Sequence, residues 1–301
     1  MYKKETRSSY AIEKEEPSPD RITKFIDLLS RAGTEATSAM LNEARLVQLQ
    51  NEILNPRFAE ERFRDYQNYV GQVLPGLRDV IHYVCPPPQF VPSIMNGLKE
   101  TLNKTAGIYP EIRASIIAFG FVFIHPFGDG NGRIHRFLIH DILAHDSLVP
   151  KGLIIPVSAH LLNNIRDYDN ILEKYSKPLM QRVRYHLKED GELEVTNASD
   201  VEAYYRYPDL TEQSIYLLSV IHNTVLEDMN QELLFLERYD EIKQGIQNIV
   251  DMPDKDINLM IAFLHNNRGI LPKRRREKFS KLTDIEISKM EEIYKEVFED
   301  K

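Results

Sequence analysis

The sequence predicts a mainly α-helical protein with one short β-hairpin. Most of its segments carry apolar residues at spacings of three and four, which is the period of one helix face. Residues 62–88 are instead rich in aromatic and β-branched residues and contain the turn signal Pro75-Gly76, which favours a hairpin. With 301 residues, of which 42% are hydrophobic, the chain can bury a sizeable core.

Two helices are predicted before residue 60. Residues 1–20 are charged and end in "EEPSPD", so we expect a breaker there, followed by a helix up to Gly33. A second apolar pattern fits a helix from Ser38 to Leu54, with Pro56 shortly after its end.

Helices are also predicted on both sides of a glycine-rich segment and through the rest of the chain. Residues 89–122 have helical periodicity, and "RIHRFLIHDILAHD" after the glycines places its apolar residues on one stripe. Further helices are expected near 158–187, 211–250 and 254–268. A final helix, "KLTDIEISKMEEIYKEVF", has Thr283 and Glu286 in capping-box positions.

Composition limits the classes of function. A formal net charge of −8 argues against an extended nucleic-acid interface, because such an interface needs a basic face. Cys85 is the only cysteine, so an intramolecular disulfide is excluded. The sequence shows neither an apolar stretch long enough to span a bilayer nor a secretory leader, and we expect a cytoplasmic protein with no membrane association.

The segment "IHPFGDGNGRIHRF", residues 124–137, joins two predicted helices and concentrates the candidate chemistry. It is not an EF-hand, because a loop starting at Asp129 would need glycine at 134 and glutamate at 140, where the chain has Ile134 and His140. It is not a dinucleotide fingerprint either, since Arg133 stands where the third glycine is required.

The remaining interpretation is a phosphate-binding loop. Gly130 and Gly132 permit positive φ and remove side chains, so backbone N–H groups can converge on an anion at the start of the next helix. Arg133 and Arg136 share a face of that helix and could hold further phosphates. Asp129 is the loop's only carboxylate and suits Mg²⁺.

His125 stands at the start of this loop, where an imidazole could remove a proton from a hydroxyl that attacks phosphorus. Taken singly, these residues fit a turn with a structural histidine and solvated arginines; taken together, they favour nucleotidyl transfer. Gly128 is expected only to ease the turn.

The sequence from His125 to Arg136 resembles the signature of the Fic family at every defining position. The resemblance implies a Fic-type helical core that binds Mg²⁺ and ATP and transfers AMP to a hydroxyl of a target protein, releasing pyrophosphate. It implies that His125 is the general base and Asp129 the metal ligand. The residues implied to bind nucleotide are Gly130, Asn131, Gly132, Arg133 and Arg136.

A second similarity concerns "FRDYQNYVG", residues 63–71, with "YVCPPPQFVPSIM", residues 83–95. In the family, such a stretch opens a flap, a hairpin that pairs with an extended target segment by strand addition. An ordinary surface hairpin is the alternative. The predicted target-binding flap residues are Gln67, Asn68, Tyr69, Val70 and Gly71.

A third similarity is "RSSYAIEKE", residues 7–15, in which Ser9 and Glu13 match the family's inhibitory motif. The resemblance implies that Glu13 pairs with Arg136 and blocks the γ-phosphate. The residue after this glutamate is usually glycine or asparagine, whereas this chain has Lys14. Few residues precede Ser9, so little helix is expected to support the motif. Glu43, which also follows threonine and serine, lacks the spacing and is predicted to lie on a helix surface.

Residues 156–172 resemble the segment near the family's adenine pocket, with Tyr168 as its first aromatic and Asp169 where a second tyrosine is common. Tyr168 also fits an ordinary core position. The similarity covers roughly residues 7–185. It divides the chain into an N-terminal helical region with the inhibitory motif, a Fic core with flap and nucleotide loop, and a C-terminal helical extension, at residues 1–60, 61–190 and 191–301.

The C-terminal third carries no catalytic constellation. Its one basic cluster, Lys273–Arg276, allows a nucleic-acid contact, but a solvated helix start is favoured. The simpler role for the C-terminal third is to pack as a helical extension against the core or to form a homodimer. The whole sequence therefore predicts an autoinhibited protein adenylyltransferase that uses Mg²⁺ and ATP. The alternatives are a deAMPylase, an ATP-binding regulatory scaffold, or a regulator with a DNA-binding C-terminal module.

Overall fold

The computed structural model describes residues 1–72, 80–150, 153–188 and 191–298. The chain divides into two compact units, Met1–Val225 and Leu226–Lys301. Within the described ranges the structure is mainly α-helical with two short antiparallel hairpins, which confirms the predicted fold class. The predicted boundaries at residues 60 and 190 stay predictions.

Two helices, α6 and α7, form the centre of the first unit and frame the glycine-rich loop between them. The first nine helices are α1 (Tyr2–Ile12), α2 (Pro19–Ser30), α3 (Thr37–Met40), α4 (Glu43–Ile53), α5 (Val91–Lys104), α6 (Pro110–Ile124), α7 (Asn131–His145), α8 (Val157–Asn163) and α9 (Ile165–Met180). Helix α6 starts with a proline at its first position and is apolar nearly all round, as a helix in the core must be. It ends at His125, which has a left-handed backbone.

Helix α1 was not expected, because residues 1–20 looked like a charged breaker. Its buried face carries polar groups and one aromatic ring, namely Glu5, Thr6, Ser8, Ser9 and Tyr10. A helix that buries polar groups against polar partners leaves no apolar periodicity to detect. Ser9 therefore lies within an eleven-residue helix, and the expectation of little helical support for the motif was wrong.

The helix predicted from Ser38 to Leu54 is two helices, α3 and α4, separated at Leu41 and Asn42. Asn42 is extended and takes the N-cap position of α4, while Leu41 is buried beside the break. Tertiary burial of this turn overrides the continuous apolar pattern. Glu43 is exposed on α4, as expected, and its carboxylate accepts a hydrogen bond from the Phe63 backbone N–H at 2.8 Å.

The predicted hairpin is present as β1 (Tyr69–Gln72) paired antiparallel with β2 (Val80–Val84). The register shifts between Val70 and Gly71, which is a bulge. A Cβ on Gly71 would lie 2.5 Å from the Val80 carbonyl oxygen, so the close approach of the strands there requires glycine. The predicted turn at Pro75-Gly76 lies outside the described residues.

A second hairpin, β3 (Tyr185–Leu187) with β4 (Leu193–Val195), follows α9. The helix predicted over 158–187 begins where expected, but it is interrupted at Asn164, between α8 and α9, and it ends early, at Met180. Asp190-Gly191 is a hairpin-turn signal in the sequence, and Gly191 has φ of 86°. Two further helices complete the unit, α10 (Ala198–Arg206) and α11 (Thr211–Asn223).

The second unit contains α12 (Asn230–Ile249), α13 (Asp254–Asn266) and α14 (Asp284–Phe298). A π-helical segment, Thr224–Met229, separates α11 from α12, so the helix predicted over 211–250 is interrupted. The predicted capping box is confirmed: Thr283 N–H donates to Glu286 at 2.7 Å, and Glu286 N–H donates to the Thr283 hydroxyl at 3.2 Å. None of the helices described is long and apolar enough to cross a membrane.

Candidate active site

His125 is positioned by its own backbone and by one ring nitrogen. It has φ of 53° and ψ of 58°, a left-handed conformation rare outside glycine and asparagine. Its Nδ1 lies 3.1 Å from the Val122 carbonyl oxygen. Because a carbonyl oxygen only accepts, Nδ1 carries the proton and Nε2 presents a lone pair.

The protonation state of His125 suits a general base. Burial lowers the pKa of this imidazole to about 4, and the positive charge of Arg64 acts in the same direction. The Val122 carbonyl and the carboxylates of Glu13 and Asp129 oppose that shift only in part. The ring is therefore neutral at physiological pH although it stands among charged groups.

Asn131 holds the turn of the loop closed. Its side chain is buried, its Oδ1 accepts from the Phe127 N–H at 3.1 Å, and its Nδ2 donates to the Phe127 carbonyl at 2.8 Å. The Asn131 side chain thus organises the loop, while its implied place in the anion cradle stays a prediction.

The three loop glycines serve different purposes. Gly130 has φ of 85° and is the N-cap of α7, as expected. Gly132 lies inside α7 without a positive φ, so that expectation was wrong; a Cβ there would collide with the Glu13 carboxylate. Gly128 does more than ease the turn, because its N–H donates to Glu60 at 2.7 Å and a Cβ would collide with the Tyr66 hydroxyl.

Arg136 is buried against the predicted inhibitory motif. Its Nε donates to the Ser9 hydroxyl at 2.7 Å, and its Nη2 donates to the Ser9 carbonyl at 2.7 Å. The same Nη2 donates to Glu13 Oε1 at 2.8 Å. Ser9 and Glu13 thus together occupy the guanidinium that the resemblance assigns to the γ-phosphate.

Arg133 is fully buried among three carboxylates. Its Nε lies 2.7 Å from Glu13 Oε2, and its Nη2 lies 3.1 Å from Glu15 Oε1 and 3.0 Å from Asp129 Oδ1. Burial would lower the pKa of this guanidinium, but the three carboxylates outweigh burial and raise it. The guanidinium also lies over the Tyr10 ring, 5.2 Å from its centroid.

Glu15 is a site residue that the sequence motifs did not single out. It follows the motif by two positions and also forms an ion pair with Arg21 at 3.0 Å. The intervening Lys14 has φ of 59°, which turns the chain so that Glu13 and Glu15 both reach α7. This backbone accounts for the glycine or asparagine that the family usually has there.

Another carboxylate, that of Glu5, anchors the start of α1. Glu5 is buried, and its oxygens meet His140 Nε2 at 2.7 Å and the Ser158 N–H at 2.9 Å. The Ser158 hydroxyl also donates to it. The polar face of α1 is therefore matched to both α7 and α8.

Asp129 is the most exposed carboxylate of the site, with a side-chain exposure of 54%. Its Oδ1 accepts from the Gly130 N–H at 2.6 Å. Carboxylate oxygens of Glu13, Glu15 and Asp129 lie within 4.8 Å of one another. A partly exposed carboxylate beside buried guanidiniums fits a magnesium ion delivered with a polyphosphate.

The predicted flap residues lie beside the loop. Gln67 donates to the Cys85 carbonyl at 2.7 Å, and Asn68 donates to the Phe127 carbonyl at 3.2 Å, so the base of the hairpin is tied to the signature. Tyr69 starts β1, and Val70 and Gly71 are exposed on it, where a strand could pair.

Tyr168 is buried on α9, with its ring stacked 6.2 Å from the His135 ring. Burial raises the pKa of its hydroxyl, and Arg136 opposes this. Tyr168 thus lies close to Arg136, and its assignment to an adenine pocket stays a prediction.

The geometry defines a class: a helical protein whose central turn carries a neutral histidine and two buried arginines covered by an N-terminal helix. Residues 40–143 match the family model described as Fic/DOC family, so this part of the chain is similar to a Fic/DOC domain. The signature loop and both strands of the first hairpin, β1 and β2, lie within that match.

Similar proteins agree with this assignment. The chain is 31% identical over 133 residues to protein adenylyltransferase fic-1 of Caenorhabditis elegans and 29% identical over 133 residues to that of Caenorhabditis briggsae. Each match covers 40% of this chain and only 24% of the relative, so the chain spans about a quarter of those proteins.

The fold resembles a solved Fic family protein from Desulfovibrio desulfuricans G20. The TM-score is 0.53 at 17% identity, over 88% of this chain and 77% of the other. This likeness extends the shared helical fold well beyond the family match.

Proposed function

We propose that this protein is an autoinhibited protein adenylyltransferase, which transfers AMP from ATP to a hydroxyl side chain of a target protein. The observation that carries the proposal is the pairing of a neutral His125, whose Nε2 presents a lone pair, with two buried arginines on the first turns of α7. The names of the two similar nematode proteins support the same activity.

In the proposed reaction the target hydroxyl attacks the α-phosphorus of ATP, the bond to pyrophosphate breaks, and His125 Nε2 takes the hydroxyl proton. Arg133 and Arg136 bind the phosphates, and their burial strengthens charge-assisted hydrogen bonds to an anion. Magnesium, held by Asp129, would neutralise phosphate charge. The exposed strand β1 would hold the target segment by backbone hydrogen bonds.

Inhibition follows from competition for the two arginines. Glu13 bridges Arg133 and Arg136 at 2.7 and 2.8 Å, so a triphosphate that uses both guanidiniums must displace it. A buried arginine left without an anion is costly, which is why the glutamate holds the site closed in the absence of nucleotide. Removing Glu13 is expected to release the site.

The proposal is tested with ATP labelled on either the α- or the γ-phosphate. The intact chain is compared with Glu13→Gly and with Glu13→Gly plus His125→Ala, and Glu16→Gly serves as the matched control because Glu16 is an exposed carboxylate in the same segment. Covalent label from the α- but not the γ-phosphate is expected, stronger in Glu13→Gly and lost without His125. ATP binding is expected to persist in the His125→Ala form.

Two results would overturn the proposal. Continued transfer without His125 would exclude this histidine as the base. ATP binding without covalent label in any of the variants would favour the regulatory scaffold. Removal of AMP from a protein that already carries it would then favour the deAMPylase.

A further inference from the structure

Arg64 is a buried cation that the signature does not include, although it precedes the hairpin and reaches the loop. Its guanidinium donates to carbonyl oxygens of both segments: Nε to His125 at 2.8 Å, Nη1 to Tyr66 at 2.8 Å, and Nη2 to Pro86 at 2.7 Å and to Ile124 at 3.4 Å. Its backbone N–H donates to the Pro126 carbonyl at 2.9 Å. The side chain is 3% exposed.

These contacts join three parts of the chain whose relative positions the proposed chemistry must keep fixed. Tyr66 precedes β1, Pro86 follows β2, and Ile124 and His125 lie at the turn that ends α6. Tyr83 in β2 adds a further link, because its hydroxyl donates to the Phe123 carbonyl at 2.5 Å. The two legs of the hairpin and the histidine turn thus meet on one guanidinium.

Stability alone is a weak reason for such a residue. Within the described part of the chain, its hydrogen bonds all end on carbonyl oxygens rather than on a carboxylate. Burial lowers the pKa of this guanidinium, because loss of water destabilises its charged form. Apolar residues of similar volume often replace buried charges at no cost in stability. A planar fork of five donors, however, fixes several carbonyls in one geometry as an apolar side chain cannot.

His125 needs external support for its conformation. A left-handed backbone is unfavourable for a residue with a Cβ, because the Cβ crowds the following carbonyl oxygen. The hydrogen bond from Arg64 Nε holds the His125 carbonyl in the orientation that this backbone imposes. With the backbone fixed, the bond from Nδ1 to Val122 sets the direction in which Nε2 points.

We infer that Arg64 is a positioning residue, which holds the His125 turn and both legs of the hairpin in one rigid arrangement. This inference rests on the proposed function for its kinetic consequence, since a hydroxyl presented by the hairpin must meet Nε2 to within a fraction of an ångström. Lysine keeps the charge but has a single nitrogen, which cannot reach all four carbonyls.

The kinetic test compares Arg64→Lys and Arg64→Met, each in the Glu13→Gly background. Arg113→Lys is the matched control, because Arg113 is equally buried and also donates to a backbone carbonyl, that of Leu102, at 2.8 Å. Its carboxylate partner, Asp146, follows the C-terminal end of α7, whereas the signature loop precedes the N-terminal end. At a temperature below all unfolding transitions, we expect kcat to fall about 100-fold in both Arg64 variants, as a small misplacement of the base predicts. The KM for ATP and the rate of the Arg113→Lys form should stay near the parent values.

A spectroscopic test is independent of activity. In protein labelled with ¹⁵N at histidine, the His125 resonances of the parent should show the proton on Nδ1, and Arg64→Met should convert part of the population to the Nε2–H tautomer. A parent with its proton on Nε2 would overturn the inference without any variant. An unchanged tautomer in Arg64→Met, together with an unchanged kcat in both Arg64 variants, would also overturn it.

The two tests separate failure of the inference from failure of the proposed function. If the Glu13→Gly parent transfers no label, the proposed function fails, and the tautomer still decides whether Arg64 positions His125. If the parent is active and the Arg64 variants match it, only the inference fails.

Discussion

Glu13 does not hold Arg133 alone, because Glu15 occupies the other side of the same guanidinium at 3.1 and 3.3 Å. An inhibitory glutamate is expected from the resemblance, but a second carboxylate on the neighbouring arginine is not. If phosphate must displace both, removing Glu13 takes from Arg136 its only carboxylate partner among the described residues but leaves Glu15 paired with Arg133.

Glu15→Ala is therefore expected to add to the effect of Glu13→Gly. The Glu15 side chain is 33% exposed, so its ion pair contributes about 1 kcal/mol, which corresponds to about a fivefold gain in ATP affinity over Glu13→Gly alone. Calorimetric titration with ATP measures this gain. Glu16→Ala in the same background is the control, and an equal gain from it would refute a specific role for Glu15.

The sequence of the loop predicted most of the residues that meet at the site, but it did not always predict why a given residue is needed there. Arg136 and Glu13 meet as the resemblance implies. Gly132 was expected to supply a positive φ, yet it provides room for the Glu13 carboxylate, which is 119 positions away in the chain. Sequence spacing shows which residues are neighbours in a helix, but it does not show which distant side chain needs the space.

Helix α1 shows that a whole secondary-structure element can also escape prediction from sequence. Its buried residues are mainly polar, so hydrophobic periodicity could not reveal it, and its partners on α7 and α8 are visible only after folding. The first hairpin was predicted, because aromatic and β-branched residues surround a strong turn signal. The second has only three-residue strands, and its first strand, β3, lies at the end of the segment 158–187 that was interpreted as helical.

The end of α1 is strained at a residue that could be glycine. Lys14 is exposed and has φ of 59°, so Lys14→Gly relieves the left-handed backbone without removing a buried contact. We expect α1 to dock more firmly by about 0.5–1 kcal/mol, with slower hydrogen exchange at Tyr10–Glu15 and lower basal transfer.

Ser147→Gly is the control for Lys14→Gly. Ser147 is an exposed residue with φ of 63° in the segment after α7, so the substitution gives the same backbone relief away from α1. It should leave exchange at α1 and basal transfer unchanged. Faster exchange in Lys14→Gly would contradict a strained α1 end.

At the scale of the whole molecule, the described C-terminal unit has its own apolar core, which includes Ile242, Met260 and Met290. Part of its basic cluster is used within that unit: Arg276 pairs with Asp284 at 2.5 Å, and Arg275 lies over the Phe263 ring. These contacts are what a structural role predicts for the cluster. Nucleic-acid binding and a homodimer stay predictions.

The stability of the folded chain should depend on pH through His135, which is buried in the central helix pair. Burial lowers the pKa of its imidazole to about 3, Arg136 acts in the same direction, and the Ala118 carbonyl offsets only part. Between its ordinary pKa of 6.5 and about 3, the unfolded chain binds a proton that the folded chain does not. The free energy of unfolding therefore falls as the pH is lowered through this window, by up to about 1.4 kcal/mol per pH unit for this one group.

His135→Leu removes that titration, so its urea-unfolding free energy should fall less steeply between pH 6.5 and 5 than that of the parent, whatever the substitution does to stability at pH 7. Far-ultraviolet circular dichroism is a suitable signal because the chain has no tryptophan. His186→Leu, at an exposed position on β3, is the control and should keep the parent slope. His125 carries a depressed pKa of the same sign, so part of the slope should remain in His135→Leu. If His135→Leu had the same slope as the parent, the His135 imidazole would bind its proton equally well in the folded and the unfolded chain. The core around it would then have to admit water or a compensating charge.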